Sequence, residues 1–444
     1  MEELKDHPGP SIMDEHQRKK FLFLCFGEYY PGTSLSYLIH AFDLGKNCNI
    51  LPLAESRIVG KIGLSIPAVM GFGVRGSNIF LVGGIKPSFN GYGNFTPYLC
   101  RDVLEFDTKK CFMIPPNLSV PFRPLNPTPV MRHRPLQQGK NYPLVVEHDS
   151  KLYVLSCRSL MLTCGVHFAP GFEMLDPTND EWVTLPEPPI FHRRYLGRTT
   201  NCVVVGTNIF VSCLSSIFRF DMADTSQKWN EHFFTNCIRL PFDFDGRSLA
   251  VKMSDGNWLI FTCYPELCEE ADEFEDDAYC CCYEDDCFFP SGVGDYPPQA
   301  YRHFEWKRTS LPTYLMSSDF TSLTRLQPLC LPDDLLPTQP GLELLPMFRD
   351  LFTARAREID YRILHLGGHE ICLILSVDTG FESKGGVLRK MPIFVIRFEF
   401  ELSDSRELVT IKTGSCGVQC FLLDANGPRA TKVSMHGAFW LYGI

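Results

Sequence analysis

Five cysteines, Cys268, Cys280, Cys281, Cys282 and Cys287, crowd one short stretch of the chain among carboxylates. Thiolates beside carboxylates can hold a soft or borderline metal, and the Cys282 to Cys287 spacing suits two ligands carried by a loop. Adjacent cysteines, however, do not aim their sulfurs at one tetrahedral site, and no paired C-x-x-C spacing or nearby histidine completes a ligand set. From Glu266 to Asp286 there are eleven Asp and Glu and no Lys or Arg, a charge density that raises thiol pKa and disfavours redox chemistry. The expectation is a solvated acidic insertion over 266–298, with no metal and no cofactor. His365 and His369 stand four apart, a spacing that shares a face only on a helix; Gly367 and Gly368 between them indicate a strand running into a turn.

Two basic clusters, Arg132-His133-Arg134 and His192-Arg193-Arg194, follow proline-rich stretches. Arg132, Arg134, Arg193 and Arg194 are the candidate partner-binding residues, a positive rim for an acidic protein partner. No catalytic residue is assigned. An alternative site, for an enzyme or a small-molecule binder, would need His148, Asp149, His365, His369 and His436 to converge on a central channel.

Overall charge narrows the partner class. The 444 residues carry 42 Lys+Arg against 52 Asp+Glu, a net charge of −10; without the eleven acidic residues the remainder stands at +1. A near-neutral body has no basic stripe to neutralise phosphates, so nucleic acid is not an expected partner. No apolar run approaches the roughly 18 to 20 residues of a spanning helix, so no membrane association is expected. Residues 1–20 are polar and hold Pro8 and Pro10, which reads as a disordered tail and not as an export signal. A cytoplasmic or nuclear monomer is expected. Cys25, Cys202, Cys213, Cys263 and Cys372 sit singly in apolar runs and read as buried reduced thiols.

The elements that would position these groups are strands. Apolar runs of strand length, rich in Phe, Ile, Val, Leu and Tyr, recur between Gly, Asn, Asp and Pro. One phrase, a tight turn followed by a strand, appears as Gly76 to Gly84, Asp149 to Ser156, Gly206 to Ser212, Asp255 to Phe261, Gly368 to Ile374 and His436 to Gly443. Each reads as a hairpin between a first and a second strand. A second phrase, an aromatic strand ending in Asp and then Trp or an apolar residue before Leu-Pro, is clearest from Phe172 to Pro186 and recurs at Val103, Ile217 and Tyr37, with only its tail at Phe304 to Pro312. Together they describe a four-stranded antiparallel unit repeated every 40 to 55 residues or so. Units begin near Phe21, Val69, Pro143, Thr199, Ser248 and Arg362.

The paired Gly83-Gly84, with an echo at Gly367-Gly368, the aromatic-x-Asp strand ends, and Trp182 before Leu185-Pro186 resemble the kelch-repeat β-propellers, specifically the divergent kelch-like proteins of plants. The resemblance implies an all-β kelch-type propeller over 21–444 as a single domain. Six blades are expected, seven if the two chain ends form a separate composite blade, with the C-terminal strands from Thr431 closing the ring. The acidic insertion would leave the fifth unit, and 321–357, with Pro328, Pro332, Pro337, Pro340 and Pro346, would be a connector ending in a short helix over 344–356. Trp182, Trp229, Trp258, Trp306 and Trp440 fall at related places and read as packing between blades. The E-x-x-x-D-x-x-x-H iron motif of the related specifier proteins is absent, since no histidine has Asp four positions before it. Leu331-Pro332-Asp333-Asp334-Leu335-Leu336 is similar to an F-box opening but lies after most of the propeller, and Pro337 and Pro340 interrupt the helix it would need. The resemblance thus implies a non-catalytic protein-interaction module.

Overall fold

The computed structural model describes residues 20–29, 35–42, 44, 57–63, 66–86, 98–112, 130–156, 171–188, 201–213, 216–226, 228–233, 248–254, 258–263, 313–317, 326–329, 358–378, 390–402, 409–411, 417–424 and 432–442. The strands follow in chain order. The first three are β1 (Lys20–Tyr29), β2 (Leu35–Phe42) and β3 (Arg57–Ile62). Then come β4 (Gly71–Arg75), β5 (Asn78–Val82), a short ribbon of β6 (Ile85–Lys86) and β7 (Tyr98–Leu99), β8 (Val103–Asp107) and β9 (Val130–Arg132). The third group is β10 (Pro143–His148), β11 (Lys151–Ser156), β12 (Phe172–Asp176) and β13 (Glu181–Leu185), and the fourth is β14 (Asn201–Val205), β15 (Asn208–Cys213), β16 (Ser216–Asp221) and β17 (Asn230–Phe233). The fifth is β18 (Leu249–Lys252), β19 (Trp258–Cys263), β20 (Thr313–Ser317) and β21 (Leu326–Leu329). The last strands are β22 (Glu358–Gly367), β23 (Glu370–Asp378), β24 (Lys390–Leu402), β25 (Val409–Ile411), β26 (Gly417–Asp424) and β27 (Lys432–Tyr442).

Apart from the β6-β7 ribbon, these strands form six antiparallel sheets among the described residues, in the orders β27-β1-β2-β3, β4-β5-β8-β9, β10-β11-β12-β13, β14-β15-β16-β17, β18-β19-β20-β21 and β22-β23-β24-β25, with β26 also on β24. Each sheet is too small to bury both its faces alone, so neighbours stack, and apolar clusters run between them. Phe23, Tyr37, Ile79 and Phe106 join the first sheet to the second; Phe80, Val154 and Trp182 join the second to the third; Phe172, Phe220 and Trp229 join the third to the fourth. The inner strand β18 packs against β14 and β22, and Phe261 lies 5.1 Å from Phe400. Leu24, Phe42, Ile393 and Phe421 return from the sixth sheet to the first. The circuit is a β-propeller: all-β, repeated, and closed on itself.

Closure is by β27, whose residues pair with the whole length of β1. The sequence reads two strands at this end, with a turn at His436-Gly437. Instead one strand runs through, because Cys25 faces Gly437 while the adjacent Phe26 faces Met435, leaving His436 as the extra residue of a β-bulge. Pairing the two termini in one sheet removes the free edges that an open array would expose.

The hairpin phrase otherwise holds. Gly76, Asp149, Ser150, Gly206 and Gly368 have positive φ of 51–60°, as two-residue turns between strands of right-handed twist require. Gly367-Gly368 is part of such a turn and not an echo of Gly83-Gly84, which follows the second strand of its sheet. Three further readings change. The third and fourth strands of the fifth sheet are Thr313–Ser317 and Leu326–Leu329, so they follow Phe304 to Pro312 and take up part of the 321–357 stretch read as connector. The sixth sheet has its outer edge shared by β25 and β26 along the long β24. Lys20, read as the last residue of a disordered 1–20 tail, begins β1 and pairs with Tyr442; the rest of that tail, the 266–298 insertion and the 344–356 helix lie outside the described residues.

Candidate functional site

A meander that starts at the inner strand sends two kinds of connection to one end of its sheet: second strand to third, and fourth strand to the next sheet. The turns from first strand to second go to the other end. Stacking the sheets around a ring gathers each class on one face. Four of the first-to-second turns have two residues, and the third-to-fourth connections, among them the one from Asp107 to Val130, go to that same end. To the opposite face run the connections that leave Val82, Arg132, Ser156, Leu185, Cys213, Cys263 and Leu329.

On that face one segment is described throughout. It runs from the end of β9 to the start of β10, and its course is fixed by side chains of both neighbouring sheets. His133, read in the sequence as part of a basic cluster, turns inward: its ring meets the buried carboxylate of Glu105, which also accepts from Asn78. The Leu136 amide donates to the Arg101 carbonyl at 2.9 Å and its carbonyl accepts from the Arg101 guanidinium, while the Leu136 side chain is fully buried between sheets two and three. The amides of Gln137 and Gln138 donate to the two oxygens of Glu173 at 2.7 and 2.9 Å. Lys140 donates to the same carboxylate, and both side chains are wholly buried. Desolvation pulls the Lys140 pKa below its ordinary 10.5, and Glu173 acts in the opposite direction.

The double glycine exists for this segment. Gly83 and Gly84 have φ of 67° and 93°, open to glycine at little cost. A Cβ on Gly83 would lie 2.9 Å from the Lys140 Cβ, and the Gly84 amide donates to the Lys140 carbonyl at 2.9 Å. A side chain at Gly83 would push on this segment, and one at Gly84 would meet the Ala68 carbonyl.

The two tryptophans make the same bond in successive sheets. Trp182 donates from its indole to the Arg134 carbonyl at 3.0 Å, and Trp229 to the Pro186 carbonyl at 2.7 Å. Each therefore ties the outer part of one sheet to the chain leaving the sheet before it, the packing role read from their spacing; Trp258, at the start of β19, and Trp440, on β27, do not share that place, and Trp306 lies outside the described residues.

Of the sequence-predicted site residues, Arg132 is the last residue of β9 and is exposed. Arg134 is exposed and ion-paired to Glu181 at 3.1 Å, with both side chains more than half in solvent, a contact worth at most about 1 kcal/mol. Arg193 and Arg194 lie outside the described residues, as do Cys268, Cys280, Cys281, Cys282 and Cys287. The channel candidates do not meet. His148 and Asp149 end the inner strand of the third sheet, and His365 and His369 flank the corresponding turn of the sixth, three sheets away around the ring. His365 lies 2.9 Å from the Gly368 carbonyl and His369 stacks on Phe400 at 5.0 Å. His436 is packed between Tyr37 and Phe72. Among the described residues no three His, Cys, Asp or Glu side chains are grouped to hold a metal ion. Cys25, Cys100, Cys202 and Cys372 are buried free thiols; burial pushes the Cys25 thiol up and raises Cys100 and Cys372 to about 12.

Sequence reading missed Glu173, Lys140, Glu105 and Arg101. The available signal was a single carboxylate inside an apolar strand, Phe172-Glu173-Met174-Leu175, which periodicity alone assigns to either face. It also missed His40, which is buried with Glu28 at a small cavity between the first and sixth sheets, walled by Phe26, Leu38, Met391, Leu423 and Val433. Desolvation lowers the His40 pKa from 6.5 to about 3. The unfolded chain therefore binds a proton that the folded one refuses. The associated stability is whole above pH 6.5 and falls as pH drops toward 3, by up to about 1.4 kcal/mol per pH unit. Urea midpoints measured between pH 7 and pH 5, above the carboxylate range, are expected to decline in the wild type and to lose much of that slope in His40→Phe.

No curated protein matches the chain. Two solved structures are similar in part: one titled as the structure of YjhT, at 11% identity, 55% of this chain, 73% of that one and a TM-score of 0.31; and the GH43_1 enzyme from Xanthomonas citri complexed with xylotriose, at 9%, 78%, 92% and 0.23. Residues 70–248, from the entry of the second sheet to the start of the fifth, match the family model described as a protein of unknown function, DUF1668.

Proposed function

We propose that this chain is a non-catalytic, six-bladed kelch-type propeller, each sheet one blade, that recognises another protein through the loops of one face. The observation that supports it most is the connection 133–142, an ordered and partly exposed segment next to the exposed Arg132 and carrying the exposed Arg134, anchored by Arg101, Glu173 and Trp182. Recognition residues are usually carried by such loops on a rigid scaffold. The bonded course of 133–142 shows how one of them is held, and a segment ordered before binding loses less entropy on docking.

Affinity capture and proximity labelling of the full chain test this, beside a variant with Arg132, Arg134, Arg193 and Arg194 changed to Ser. Arg132 and Arg134 are exposed, and the variant is expected to keep the wild-type unfolding midpoint and to lose a reproducible protein partner. A folded variant that retains every partner would remove the loop face from the reading. Turnover of a small molecule by a protein that captures no partner would replace the reading with a channel enzyme.

A further inference from the structure

We infer that the fixed segment after β9 forms, with Arg101, a basic ledge that binds an acidic peptide stretch of the partner; this rests on the loop-face reading and names the chemistry of its ligand. Arg101, Arg132 and Arg134 are all exposed. The Arg101 and Leu136 backbones are joined directly, Arg134 is two residues from Leu136, and Arg132 is two residues further back, at the end of the strand paired to β8. Three guanidiniums therefore project from one short length of ordered backbone. Against them the described residues set one exposed carboxylate, Glu181 on Arg134; Asp102 is engaged by Lys86 at 2.9 Å, and Glu105 and Glu173 are buried in pairs of their own. Among the described residues Arg132 has no ion-pair partner, and Arg101 uses its Nε on a carbonyl and leaves its remaining donors outward.

Two features favour a peptide as the occupant. The exposed side chains beside the arginines include Pro135, Gln137 and Gln138; the Gln137 amide is held by the Trp182 carbonyl and the Thr184 hydroxyl, and Gln138 adds an amide donor and acceptor suited to main-chain groups. Planar guanidiniums in fixed positions match carboxylates bidentately, whereas a merely solvated loop gains nothing from being tied down by Glu173, Trp182 and Arg101. Glu181 then acts as an internal competitor that holds Arg134 until a stronger anion replaces it.

The probe is a fluorescein-labelled Asp- and Glu-rich peptide titrated into the full-length protein, with a Lys-rich peptide as its counterpart. The acidic probe is expected to bind and to weaken as salt rises. Arg101→Ser combined with Arg132→Ser is expected to weaken it about tenfold, while Glu181→Gln, by releasing Arg134, tightens it by roughly twofold to threefold. Lys228→Ser with Lys252→Ser, which removes exposed charge elsewhere, is expected to change little. No binding by the wild type, an equal loss in the lysine variant, or no gain in Glu181→Gln overturns the ledge. If the ledge fails while cellular capture still depends on the loop arginines, the interaction face stands and only its acidic ligand is wrong; if capture fails as well, the loop-face reading falls with it.

Discussion

Glu173→Ala is expected to destabilise the protein by about 3–5 kcal/mol, read as a lower urea midpoint with an unchanged slope. The reason is the charge it strands. Lys140 has no exposed surface, and Glu173 is the carboxylate bonded to it. A buried ammonium without a counter-ion must either give up its proton or draw in water, and each route costs several kcal/mol. The same substitution removes the acceptor of the Gln137 and Gln138 amides, so the segment loses its attachment to the third blade as well. Two controls separate charge from packing. Lys140→Met with Glu173→Gln removes both charges and keeps a carbonyl for one of the two amides, and is expected to recover about 2 kcal/mol of the loss. Because Lys140 titrates below its ordinary 10.5 already with Glu173 present, removing the carboxylate lowers it further, and the alanine deficit is expected to shrink as pH rises toward 10. A pH-independent deficit, or a double variant as weak as the single one, would show that the pair contributes packing alone.

Much of the architecture is written locally and was legible for that reason. A two-residue turn with positive φ, an apolar run and an aromatic-x-Asp ending are each set by neighbours within a few residues, so Pro143, Thr199 and Ser248 lie within two residues of the inner strands they were read to begin. Trp182 and Trp229 were legible because two successive blades repeat the same bond. Illegible features depend on residues far apart in the chain. Glu173 reaches segment 137–140 from more than thirty positions away, and nothing near it in sequence shows whether its strand face meets solvent or another blade. His133 looks basic beside two arginines until β8 places Glu105 against it. The fifth blade was misread for a related reason: Thr313–Ser317 and Leu326–Leu329 carry neither the Asp ending nor the Trp, so the weak phrase at Phe304 to Pro312 drew the assignment to itself.

Ending the chain at residue 431 is expected to abolish cooperative folding, the largest single effect available in this molecule. The truncation takes away β27, and with it the inner strand of the first blade and the pairing along the whole of β1. Val433, Met435, Ala438 and Leu441 are each at most 8% exposed, the first three packing toward the sixth blade and Leu441 toward the second. Their burial alone is worth about 5 kcal/mol or more, comparable with the whole net stability of a typical domain. Arg362 of the sixth blade would also lose the Met435 and His436 carbonyls it holds at 2.7 and 3.2 Å. A point substitution reaches the same joint without shortening the chain. At Gly27 an added Cβ would stand 2.6 Å from His436 Nε2, and that ring is held between Tyr37 and Phe72, so Gly27→Val is expected to cost about 1–3 kcal/mol through overpacking. Circular dichroism melts of both variants, with a synthetic 432–444 peptide added to the truncated chain, distinguish closure from mere loss of mass. Recovery of a cooperative transition on adding the peptide is the expected result, because the peptide restores the pairing along β1 and the packing of β27 against β22 and β4. A truncated chain that melts cooperatively at the wild-type temperature would mean that the five remaining inner strands hold the ring without it.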